Sequence, residues 1–125
     1  MDADPTLDAL PMWDAPAEAS ALSRAEGFVR AWARPDLDAT TWLTGVNGYL
    51  SASAAEKFRW TDPSLIPATT VTAPPQVTGQ PSGTSVTVLV PTDAGAQLVL
   101  LIRPDAATPW VVSTLTRADA AAASR

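Results

Sequence analysis

Two apolar runs, Val86 to Val90 (VTVLV) and Leu98 to Ile102 (LVLLI), flank Pro91 to Gly95 (PTDAG), and no other feature limits the fold so much. Side chains of this kind favour a pleated strand, and a glycine at the end of so short a connection supplies the left-handed geometry of a hairpin turn. An antiparallel hairpin is therefore expected at Ser85–Val90 and Gln97–Arg103. Further strands are expected at Thr69–Thr72 and Gln76–Thr78, with Pro74 and Pro75 marking an edge or bulge, and at Trp110–Thr116. Gly79–Gly83 and Pro104–Pro109 read as the turns between them.

The chain upstream has a helical period. Leu22, Ala25, Val29 and Trp32, with Phe28 beside them, recur at spacings of three and four, which predicts a helix over 17–34. Asp14 or Ser20 is placed to cap it, and Pro35 to end it. A second helix opens at Asp36 or Asp38, carries Trp42 and Leu43, and is expected to stop in left-handed geometry near Gly45 and Gly48. Ser53 to Glu56 (SAAE) matches a capping box for a third, carrying Phe58 and Trp60.

Helices followed by consecutive strands give an α+β layout: three helical pieces packed on one strongly bent antiparallel sheet, a cone. The length of 125 residues suits one domain, drawn at 17–117, between an acidic, proline-containing arm at 1–16 and a flexible tail at 118–125. The hairpin strands are apolar on both faces, so the sheet is expected to pack on helices with one face and meet a partner, the arm or a second copy with the other. Val88 and Leu100 stand for that surface. Met12 and Trp13, apolar within the arm, are expected to dock on the domain or on a neighbouring copy.

Composition removes whole classes of chemistry. The sequence has no His and no Cys, so imidazole bases, thiol nucleophiles, disulfides and the usual zinc sites are all missing. Five of its thirteen acids fall in residues 1–18, leaving eight acids against eight bases in the remainder. Such a neutral body lacks the clustered cations that nucleic acid or an anionic membrane requires. No apolar run approaches the roughly 20 residues that span a bilayer, and the chain as it stands reads as soluble.

The remaining candidates have plain structural uses. Asp36 and Asp38 flank a helix start, where free N–H groups favour a carboxylate. Asp62, Asp93 and Asp105 occupy turn positions. Arg24, Arg30 and Arg34 read as surface charges, with Glu26 four residues before Arg30 in the favourable order for an ion pair. No phosphate loop and no Gly-x-Ser-x-Gly elbow occurs. Trp32, Trp42, Tyr49 and Trp60 read first as core or rim aromatics and second as the lining of a ligand site.

Several motifs coincide with those of small secreted or membrane-anchored proteins of high-GC Gram-positive bacteria. They are Trp42-Leu43, Tyr49-Leu50, Asp62-Pro63, Ile66 to Ala68 (IPA), Val71-Thr72 and Val90 to Gly95 (VPTDAG). The chain resembles their nuclear transport factor 2-like cone domains, some of which are similar to periplasmic domains of conjugation and type IV secretion proteins. The resemblance implies an extracytoplasmic domain whose full-length parent is anchored by a membrane segment this chain lacks.

Together these readings give a non-enzymatic interaction or assembly module, partnered by a protein or by itself, with no catalytic residue, cofactor, metal or nucleic acid. The alternative is a small-ligand binder or isomerase/dehydratase-like protein. There Trp32, Trp42, Tyr49 and Trp60 would line the cone, and Tyr49 or Asp38 would supply the polar contact.

Overall fold

The computed structural model describes residues 12–118; residues 1–11 of the arm and 119–125 of the tail lie outside that range. The first helix, α1 (Ala15–Trp32), starts where the Asp14 carboxylate accepts the Ala17 amide at 2.9 Å, with Pro16 in its first turn. Asp14, not Ser20, is the cap, because proline is at ease in a first turn whose N–H groups have no helical partner. Ala17, Ala21, Ala25, Phe28, Val29 and Trp32 form its buried stripe.

Helix α2 (Ala39–Asn47) is opened by Asp38, which accepts the Thr41 amide at 2.7 Å. It ends at Gly48 with φ −67°, so the expected left-handed stop at Gly45 and Gly48 does not occur. Helix α3 (Ala52–Phe58) is capped by Ser51 rather than Ser53: the Ser51 hydroxyl accepts the Ala54 amide at 3.1 Å. A short 3-10 turn at Pro63–Leu65 follows, capped by Asp62.

Strands β1 (Gln76–Thr78), β2 (Ser85–Thr92), β3 (Gly95–Ile102) and β4 (Val111–Arg117) pair antiparallel in chain order. The hairpin is tighter than the sequence suggests, since Thr92 pairs with Gly95 and only Asp93 and Ala94 lie between them. Gly95 has φ +103°, a conformation costly for residues with a Cβ. Residues 69–72 make no strand, only a single bridge from Val71 to Thr92. Pro74 and Pro75 have no N–H to extend that pairing.

The fold is thus α+β, with three helices packed on a four-stranded antiparallel sheet among the described residues. Val86, Val88 and Val90 of β2, Val99 and Leu101 of β3 and Val112 of β4 face α1 and join its buried stripe in one core. Trp42 extends that core under α2, its indole N–H donating to the Trp32 carbonyl at 2.9 Å. Buried strand residues alternate with half-buried ones, so the sheet's second face lies outside the core. No helix among the described residues is long and apolar enough to cross a membrane.

Candidate functional site

Because register partners in an antiparallel pair point to the same side, the second face of the sheet can be read from the pairing. Leu89 pairs with Leu98, Thr87 with Leu100, and Ile102 with Val111. Leu89, Leu98, Leu100, Ile102 and Val111 therefore form one apolar patch, and none of them belongs to the helix-packed core. The other positions on this face, among them Gln76, Thr78, Thr87 and Thr114, are polar but uncharged or small. Among the described residues, no Asp, Glu, Lys or Arg stands on it. Leu100 lies within this patch, whereas Val88 points the other way and is wholly buried against the helices. Alternation along β2 decides this: an apolar run does not say which of its residues faces out.

The four aromatics that would line a cone do not converge. Trp42 is buried, Trp32 nearly so, and Tyr49 is half-buried, packed edge-on against Phe28 at 6.3 Å. Trp60 is 81% exposed and stacks under the Arg59 guanidinium at 5.0 Å. Neither core filling nor a shared lining describes it, because α3 ends at Phe58 and the chain turns outward there. Phe58 fills the inner position instead, 5.9 Å from Phe28 and 6.3 Å from Trp42.

In the arm, Trp13 docks edge-on against Trp110, with ring centroids 6.2 Å apart, whereas the Met12 side chain is 69% exposed. Met12 takes part through its backbone, its carbonyl accepting from Arg103 Nη2 at 3.0 Å. Arg103 is only 8% exposed; its Nε donates to the Gly83 carbonyl at 2.8 Å and its guanidinium lies 4.3 Å over the Trp110 ring. Arg24 plays a similar part, donating to the carbonyls of Trp110 and Gly48, both at 2.9 Å, and stacking on Tyr49 at 4.7 Å. Arg24 is thus more than the surface charge expected of it, and nothing in the sequence singles out Arg103. Their acceptors are backbone carbonyls distant in the chain, which leave no local signal.

Apart from Glu18, exposed in the first turn of α1, the described carboxylates are engaged in caps, turns or ion pairs. Asp36 pairs with Arg34 at 3.0 Å, and that hydrogen bond is the main cause of a carboxyl held below the usual aspartate value. Glu26 pairs with Arg30 at 2.7 Å at the expected i,i+4 spacing. Asp105 accepts the Ala107 and Thr108 amides and the Thr108 hydroxyl. Among the described residues no group of three or more Asp or Glu is placed to hold a metal ion.

Asp93 does more than shape its turn. Its carboxylate accepts the Thr69 hydroxyl and the amides of Thr69 and Thr70, tying the segment before β1 to the β2–β3 hairpin. The Thr69 hydroxyl first, then the two amides, hold the Asp93 carboxyl below its ordinary value of 3.8. A depressed carboxyl gives stability that is present above its unfolded pKa and lost as pH falls through the lower folded value. Asp93→Asn should therefore be less stable than the parent at pH 7, with the gap constant down to about pH 5 and closing below about pH 4. Urea unfolding of both proteins across that range checks it.

No family model, curated protein or solved structure matches the chain.

Proposed function

We propose that this chain is a non-enzymatic assembly module acting outside the cytoplasm, which binds a protein partner or a second copy through the open face of its sheet. The observation that carries the reading is the uncharged patch around Leu98 and Leu100. Exposed sheet faces are ordinarily solvated by charged side chains, and contiguous apolar surface rimmed by neutral polar groups characterises protein contact sites. The carboxylates described above, engaged as helix caps, turn ligands and ion-pair partners, support a structural rather than a catalytic use for them. The motif resemblance favours a nuclear transport factor 2-like cone, of the kind found in envelope or conjugative-transfer assemblies.

The experiment is photo-crosslinking from the face itself. A benzophenone amino acid in place of Leu100 should give a discrete protein adduct in cells that make the chain, and the same group at exposed Thr44 on α2 should not. Equal labelling from the two positions, or none from Leu100, would remove the basis of the proposal.

A further inference from the structure

A second surface lies at the edge of the sheet. Strand β4 is an outer strand, and the beginning of its free edge is already paired: Ser51 donates to the Val112 carbonyl at 2.9 Å and Val112 to the Tyr49 carbonyl at 2.7 Å, in a parallel bridge. Beyond that bridge the chain leaves the edge as α3. Among the described residues, no backbone hydrogen bond joins Ser113–Thr116 to any segment on the outer side. An open groove of about 320 Å³ runs there, walled by Lys57, Phe58 and Thr61 on one side and Ser113–Thr116 on the other. Phe58 and Leu115 make its apolar floor.

We infer that this groove receives an extended acidic peptide of a partner protein, added as a strand alongside β4 with a bulky aliphatic side chain between Phe58 and Leu115. Three observations bear on that occupant. A strand edge with no backbone partner offers the main-chain donors and acceptors that strand addition uses, and an adjoining pocket gives it side-chain selectivity. Among the described residues, Lys57 is the one ionisable residue lining the groove. It has no counter-ion among the described residues, whereas the nearby Glu56 is paired with Arg59 at 3.1 Å. The charge to be matched is thus positive, which favours an acidic occupant. Next to Thr61 in the chain, Trp60 is 81% exposed, a large aromatic with surface left for a partner. This surface is separate from the open sheet face, so the two readings fail separately.

The test uses the whole chain, ¹⁵N-labelled, titrated with the synthetic peptide acetyl-Thr-Asp-Leu-Asp-Val-Thr-amide. Amide shifts should concentrate at Ser113–Thr116 and Lys57–Thr61, with the Trp60 indole moving too. Trp60→Ala and Lys57→Glu, both at exposed positions, should each weaken binding by roughly tenfold while leaving the rest of the spectrum in place. A peptide N-methylated at its central amides should not bind, because strand addition needs those N–H groups. Shifts centred on Leu98 and Leu100 would overturn the inference while supporting the sheet-face reading. Undiminished binding of the methylated peptide, or no shifts at millimolar peptide, would overturn it outright.

Discussion

Replacing Trp110 by alanine is expected to lower the unfolding free energy by about 3–5 kcal/mol, a large share of the roughly 5–15 kcal/mol that holds a domain folded. Trp110 is fully buried and contacts four residues that hold the arm, α1 and the end of β3 together. Its indole N–H donates to the Ala17 carbonyl at 3.2 Å, its ring supports the Arg103 guanidinium, Trp13 leans on its edge, and its carbonyl holds Arg24. Truncation removes the first three and leaves the carbonyl, so the damage should spread to Trp13 and the start of α1 rather than to the β2–β3 hairpin. Urea unfolding gives the free energy, and hydrogen exchange resolves its location. A loss under about 1 kcal/mol would mean that Trp110 fills space without anchoring anything.

Phe28→Ala should have an effect of similar size, about 3–5 kcal/mol, for a different reason. Phe28 is also fully buried, at the place where α1, α3 and the loop after α2 meet, with Tyr49 and Phe58 both edge-on to its ring. Its loss leaves a cavity that neither neighbour can fill without giving up another contact: Tyr49 lies under Arg24, and Phe58 also packs on Trp42. The substitution should therefore loosen α3 before the sheet, seen as faster hydrogen exchange in Ala54–Phe58. Unfolding in which α3 stays as protected as the parent's would contradict this picture of the aromatic cluster.

Elements whose causes are local were legible in the sequence. Apolar runs and a turn glycine give the β2–β3 hairpin, the apolar period gives α1, and the caps are narrowed to Asp14 or Ser20 and to Asp36 or Asp38, of which Asp14 and Asp38 serve. Elements decided by distant contacts leave no local signal. Ser51 and Ser53 both suit a helix cap, and the bond from the Ser51 amide to the Val112 carbonyl fixes the chain at Ser51. Trp60 continues the apolar character of α3 in sequence, but the helix has ended and the Thr61 amide donates back to the Phe58 carbonyl at 3.0 Å. Arg103 and Asp93 have hydrogen-bond partners 20 to 91 and 23 to 24 residues away. The candidate surface was half visible: two-sided apolar strands implied an open face, and only the register assigned Leu100 to it and Val88 to the core.

The central claim, that the open sheet face is where this protein assembles, is tested most directly by placing charge on it. In Leu98→Lys with Leu100→Lys the changed side chains leave the core untouched, so the fold should survive with its circular dichroism intact. The photo-crosslinked adduct, formed in this background from a benzophenone at Ile102, should disappear, because an unmatched charge in a buried contact costs several kcal/mol. An adduct that persists undiminished from the doubly charged, folded protein would contradict the account.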